Sequence, residues 1–228
     1  MASLTDLENA VKALLSSAGA KGILQLNSYT QERAYEAYIF SLCTKAVLKL
    51  GGTVSMIGIN SGSNPNPIVF RGSPGVIYSK AQDFAYALCK LNEKEFEIHA
   101  DVQFLGQSSA SHEIDISLVQ HDAANRCRKR LEYPGMSQHL IGAIECKFYF
   151  GNPGVSLART FAGLLSDTSS NRIEAFVYNR SSDDIGAFFS KLNSSNSFDN
   201  LVPSSTVHED MFVNYVMLEL SKWSKRKS

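Results

Sequence analysis

Glu145 and Lys147 stand two residues apart in the run LIGAIECKFYF, residues 140–150. Their neighbours Ile141, Ala143, Ile144 and Phe148 are those of a buried β-strand, where charge is rare unless something compensates it. Residues two apart in a strand share a face. The acid and the ammonium therefore project together, while Ile144, Cys146 and Phe148 project into the opposite layer. A preceding segment, HEIDISLV, alternates in the same way and sets Ile114, Ile116 and Leu118 against Glu113, Asp115 and Ser117. If these two strands pair, Asp115, Glu145 and Lys147 converge. Two carboxylates and a lysine at short range suit a hard divalent cation held by oxygen ligands. Such an ion lowers the pKa of a bound water and offsets charge on a phosphoryl oxygen. The lysine can hold or help deprotonate the attacking water and favours the phosphorane-like state.

Other polar groups compete for these roles. In EFEIHADVQFLG, Phe96, Ile98, Ala100, Val102 and Phe104 face one way and Glu97, His99, Asp101 and Gln103 the other. Glu113 or Asp101 is an alternative to Asp115 as metal carboxylate, and Glu97 with His99 could support the site from behind. His112 is either a phosphate or water contact or a plain strand-edge histidine. The basic cluster RCRKR supplies Arg126, Arg128, Lys129 and Arg130, which either track a phosphate backbone or form a solvated loop. Arg159 is a further candidate for a phosphate. Trp223 either stacks on a base or packs on the core.

The elements that must position these residues follow from periodicity. A helix is expected over 4–18, capped by Thr5 or Asp6. A longer one carries Tyr35, Ile39, Leu42, Ala46 and Leu50 at helical spacing and stops at Gly51-Gly52. TVSMIGI reads as a strand, PIVFRGSPGVIY as a hairpin turning at Gly72-Ser73-Pro74, and SKAQDFAYALCKLN as a helix with Ala81, Phe84, Ala85 and Leu88 on one face. Residues 120–138 read as a polar, basic insertion ending in a Pro-Gly turn. The strand LIGAIECKFYF, the helix VSLARTFAGLL and the strand RIEAFVYN form a strand–helix–strand passage, which predicts a parallel crossover. DDIGAFFSKLN and HEDMFVNYVMLELSKWSK read as helices around a Ser/Asn-rich loop at 193–206. Together these predict one mixed α/β domain over residues 1–228, with a central mixed sheet flanked by helices.

An acid in one strand, an acid-x-lysine in the next, then a helix and a further strand resembles the PD-(D/E)XK nuclease superfamily, the restriction-endonuclease-like fold. The resemblance covers about residues 30–180. It implies that Asp115 and Glu145 hold Mg²⁺, with Mn²⁺ as a substitute, and that Lys147 is the catalytic lysine. It also implies a glutamate from the first core helix. Glu36 and Glu32 are both available, and Glu36 is favoured because it shares a face with Phe40, Cys43 and Val47. Ile114 stands where the family often has proline, and the long interval between Asp115 and Glu145 requires 120–138 to be an insertion. The implied activity is metal-dependent hydrolysis of nucleic acid, DNA in preference to RNA, by an endonuclease of restriction, defence or repair type acting as a homodimer or with a partner protein. The alternative is a non-catalytic nucleic-acid-binding or protein-interaction module that keeps the fold.

Composition sets outer limits. With 22 basic and 22 acidic side chains the formal net charge is zero, so any nucleic-acid contact must come from local patches. At 44% hydrophobic and 19% charged, the chain is globular and not disordered. No P-loop, dinucleotide fingerprint or G-x-S-x-G elbow occurs. The four cysteines show no CxxC pairing, which predicts buried reduced thiols in place of a disulfide or zinc framework. The absence of a basic, apolar leader and of a spanning apolar run predicts a cytoplasmic protein with no membrane partner.

Overall fold

The computed structural model describes residues 2–22, 24–26, 30–130, 139–151, 153–168, 173–192 and 196–226. The chain runs α1 (Leu4–Ser17), β1 (Leu24–Leu26), α2 (Gln31–Lys49), β2 (Thr53–Gly58), β3 (Gly62–Ser63), β4 (Ile68–Phe70), β5 (Ala85–Leu91) and β6 (Lys94–Leu105). It continues through β7 (Ser111–Gln120), α3 (His121–Arg128), β8 (Leu140–Lys147), α4 (Val155–Thr168), β9 (Ile173–Tyr178), α5 (Asp183–Phe189), β10 (Asn196–Phe198) and α6 (Thr206–Ser224). Eight strands form one mixed sheet in the order β10-β9-β8-β7-β6-β5-β2-β3. The β10, β9 and β8 pairs are parallel and the remainder antiparallel. The parallel β8–α4–β9 unit expected from the sequence is present.

Two apolar layers sandwich this sheet. On one side α1, α2 and α6 bury Leu7, Val11, Ile39, Phe40, Phe212 and Val216 against Phe96, Ile98, Ile116 and Ile144. On the other, α3, α4 and α5 bury Ala124, Phe161, Leu165, Ile185 and Phe189 against Val102, Phe104, Ile114 and Phe176. Each fully buried Leu, Val or Phe contributes about 1.5–3 kcal/mol of transfer free energy. Helix α2 is buried on nearly every side because it is covered by α1 and α6 as well as by the sheet. A helix so placed must be apolar all round, and this makes a glutamate within it conspicuous.

Several expectations need correction. Residues 85–91 form strand β5, not a helix, because Ala85, Ala87, Cys89 and Leu91 are buried between β2 and β6 and pairing on both sides overrides alanine's helix preference. Asn92, at φ 55°, then makes the tight turn into β6. The segment around Gly72-Ser73-Pro74 is not a hairpin turn. Strand β4 instead pairs in parallel with β1, and the chain then reaches β6, where Gly75 bridges Val102. Helix α1 is capped by Ser3, with Asp6 closing a capping box, in place of Thr5 or Asp6 as the cap. Within 120–138 the first part is the helix α3, and 131–138, with the Pro-Gly turn, lie outside the described residues.

The expected single-face alternation of β6 and β7 also fails at one level. Ile98 and Ala100 lie in the α2 layer but Val102 and Phe104 in the α4 layer, and on β7 Ile114 lies opposite to Ile116 and Leu118. Asp101 is in the left-handed region at φ 51°, a conformation in which aspartate is enriched. The β5 pairing ends at Ile98, and around Asp101 the backbone of β6 bonds to the Gly75 segment instead: Gly75 N–H donates to the Asp101 carbonyl at 3.0 Å, and Gln103 N–H donates to the Gly75 carbonyl at 2.9 Å.

Candidate functional site

Asp101, Asp115 and Glu145 occupy matching positions on three neighbouring strands. Ala100 faces Ile116 and Val102 faces Ile114, which sets Asp101 level with Asp115. The β7–β8 pairing runs inward from Ile116 opposite Ile144 and does not extend to Asp115 and Glu145. Beyond that point the two strands part. The Cys146 N–H, with no β7 carbonyl to meet it, donates to Asp115 Oδ2 at 2.8 Å. Lys147 Nζ donates to the same oxygen at 3.3 Å and to Glu145 Oε1 at 2.5 Å. The strand spacing thus brings together the three groups expected from the sequence. Both donors fall on Oδ2, so the Asp115 carboxylate can offer Oδ1 to a cation.

Glu36 enters from α2. Arg33, one turn earlier, places Nη1 2.7 Å from Glu36 Oε2 and 2.9 Å from both Asp101 oxygens. One oxygen from each of Glu36, Asp101 and Asp115 lies within 4.8 Å of the others, a separation that one oxygen-ligated divalent ion can bridge. Glu145 is outside this trio and is engaged by Lys147. Glu32 is exposed at the first turn of α2. Of the two carboxylates weighed against Asp115, Asp101 is in the trio, and Glu113 is raised in pKa first by burial and then by the nearby Asp115 charge.

Electrostatics set this cluster apart. Burial, followed by the charges of Asp101 and Asp115, pushes Glu36 up to about 9. Burial and the Asp115 charge push Glu145 up to about 7. Asp101 rises to about 7 because burial and the nearby acids outweigh Arg33. Burial opposes the charge on Lys147, yet Asp115 and Glu145 hold its ammonium well above the ordinary range. Five carboxyl groups (Glu36, Asp101, Glu113, Asp115, Glu145) face two cations (Arg33, Lys147). Excess negative charge around oxygen donors is the condition that attracts a hard divalent ion.

The basic residues are dispersed. Arg128 grips the buried Glu97 and lies over the Tyr86 ring at 5.0 Å. Arg126 is half-buried beside His139, at 3.2 Å. Lys129 and Arg130 are exposed, with the Arg130 guanidinium 5.3 Å from the Tyr78 ring, and Arg159 is exposed on α4. His112 bonds Asp167 at 2.6 Å, and Trp223 packs edge-on against Phe96 at 5.4 Å. His99 and Glu97 bond each other at 2.7 Å within the Arg128 network. Sequence reasoning missed Arg33. Its position one turn before Glu36, on the same face of α2, was the available signal.

Compared with known proteins, the chain matches no family model, no curated protein and no solved structure.

Proposed function

We propose that the chain is a divalent-metal-dependent nuclease of the PD-(D/E)XK kind that hydrolyses phosphodiester bonds of nucleic acid, DNA in preference to RNA. What supports this most is the meeting of Asp115, Glu145 and Lys147 where β7 and β8 part, with Glu36 and Asp101 adding carboxylate oxygen within reach. Mg²⁺ or Mn²⁺ would be held by Asp115 with Glu36 and Asp101, and Glu145 flanks it. Bound there, the ion supplies a water of lowered pKa and offsets charge on the phosphoryl oxygen.

The chain's own residues do the rest. Lys147 stays protonated between two carboxylates, so its role is to hold the attacking water and donate to a phosphate oxygen, not to act as base. Glu145, pushed up to about 7, is suited to take the proton that the water loses as its oxygen bonds phosphorus and the ester oxygen leaves. Asp115 is fixed by the Cys146 N–H, so its remaining oxygen is presented without conformational cost. The exposed Lys129, Arg130 and Arg159 are candidate contacts for flanking phosphates. Among the described residues no helix is long and apolar enough to cross a membrane. The four free, buried cysteines support a reducing, cytoplasmic setting for the activity.

Cleavage of plasmid and single-stranded substrates with Mg²⁺ or Mn²⁺ tests the reading. Lys147→Ala and Asp115→Asn should each lower the rate by about 10²–10⁴-fold. Equal cleavage by wild type and variants, or none by any under either metal, favours the binding-module alternative.

A further inference from the structure

Strand β8 runs past Lys147 into a short loop that carries Phe150, 61% exposed. It is the one exposed aromatic side chain among the described residues; the other large apolar groups at the surface, Val207, Met211 and Leu218, all lie on α6. A single exposed phenylalanine needs no explanation by itself. This one is held in place from several directions. Arg180 Nη1 donates to the Phe150 carbonyl at 2.7 Å. The buried Asn179 takes the Tyr149 N–H at 2.9 Å and returns a donor to the Tyr149 carbonyl at 3.0 Å. The Phe150 ring meets Phe148 edge-on at 5.9 Å, and Phe148 meets Tyr35, the neighbour of Glu36, at 5.6 Å. An apolar ring is thus presented to water on a braced support, with its backbone within about 11 Å of that of Lys147, three residues along an extended chain.

Three residues along the chain from Lys147, and tied through Phe148 to Tyr35 beside Glu36, the ring is placed for a base next to a phosphate held at the carboxylate cluster. Aromatic rings at such places take bases face to face, whatever the base, since every base has a π-face. In continuous duplex those faces are already stacked on one another, and an enzyme reaches them only after unpairing. Arg180, beside the loop, adds a cation next to the ring.

We propose that Phe150 is a base-stacking platform, so that the substrate is nucleic acid with an unpaired base beside the scissile phosphate, a single strand or a locally opened duplex. This rests on the nuclease reading above. The source of the strand, DNA or RNA, is separated by the arms of the test.

The test is equilibrium binding of the full chain to fluorescent oligonucleotides, with Ca²⁺ replacing Mg²⁺ to suppress cleavage. Single-stranded DNA, single-stranded RNA and blunt duplex DNA are each compared for wild type, Phe150→Ala and Phe150→Trp. Phe150→Ala should weaken one or both single strands roughly ten- to hundredfold and the duplex less than threefold, and Phe150→Trp should restore the loss. A 2-aminopurine base placed beside the expected cleavage position should be quenched by wild type and not by Phe150→Ala. The proposal falls if Phe150→Ala binds single strands as wild type does, if it loses duplex and single strand equally, or if tryptophan gives no rescue. It also falls if light scattering shows Phe150→Ala turning an oligomer into a monomer while nucleic-acid binding is intact, which would make the ring a protein contact. Wild type that neither binds nor cuts any of these substrates overturns the nuclease reading itself, an outcome distinct from the loss of Phe150's role alone. An unchanged melting temperature for Phe150→Ala confirms that the comparison is between folded proteins.

Discussion

Glu97 and Asp101 lie four residues apart on β6, and both are fully buried, yet they are treated in opposite ways. Burial alone would raise Glu97. Hydrogen bonds from Arg128, His121 and His99 overcome it and hold the carboxyl well below its usual range. Arg128 Nη1 is 2.8 Å from Oε2, with a second bond from Nη2 to Oε1, and His121 Nδ1 and His99 Nε2 lie 2.6 and 2.7 Å away. Asp101 shares one guanidinium with Glu36 and confronts Asp115 and Glu113, and it rises to about 7. Equal burial therefore yields opposite shifts, and the supply of donors decides the sign. The Glu97 cluster is complete and fastens α3 to the sheet. The Asp101 cluster is short of positive charge, which supports the proposed metal site.

The largest expected effect breaks the completed cluster. Arg128→Ala leaves Glu97 buried without its main counter-charge and should cost about 3–5 kcal/mol in urea denaturation. A loss below about 1 kcal/mol, coupled with lost nucleic-acid binding, would make Arg128 a phosphate contact and erase the contrast.

Next in size is the response of the other cluster to pH and metal. Unfolded carboxylates release their protons near pH 4, whereas folded Asp101 and Glu145 retain theirs to about 7 and Glu36 to about 9. Between those limits the folded chain binds more protons than the unfolded one, so stability falls as pH rises. Mg²⁺ should replace those protons. It should raise the melting temperature at pH 8.5, by the equivalent of about 2.7 kcal/mol at a hundredfold excess over its Kd, and do little at pH 5. Asp101→Asn should flatten the pH decline and shrink the metal response. A metal response as large at pH 5 as at pH 8.5 would contradict it.

The smallest effects fall on the exposed cations. Lys129→Ala and Arg159→Ala should each lower the slope of log affinity against log salt by about 1 while changing stability by less than about 0.5 kcal/mol, the reverse of the Arg128 pattern. Salt-titrated binding and denaturation on the same variants check this.

Much of the site could be read from sequence. The two-residue period placed Glu145 with Lys147, the polar face of the preceding strand offered Asp115, and the apolar company of Glu36 singled it out from Glu32. Arg33 had a local signal in its spacing from Glu36, but the weight of Asp101 was hidden for a physical reason. The left-handed turn at Asp101 is a property of how β6 trades β5 for the Gly75 segment, a long-range event with no local periodic trace. The same holds for β5, whose alanines favour a helix until strands on both sides claim their backbone. Arg126, Arg128, Lys129 and Arg130 looked equivalent in sequence. Only the fold shows that Arg128 turns inward while Lys129 and Arg130 face water.

The sheet finishes in β3, two residues long, at one margin and β10, three residues long, at the other. The β10 stub offers few unsatisfied amides and carbonyls to a further ribbon, but β3 meets only Ile57 and Gly58 of β2, so among the described residues 53–55 have no strand partner on the side away from β5. A second copy that joined sheet to sheet would therefore have to pair along residues 53–55, at the margin farther from β7 and β8 in strand order.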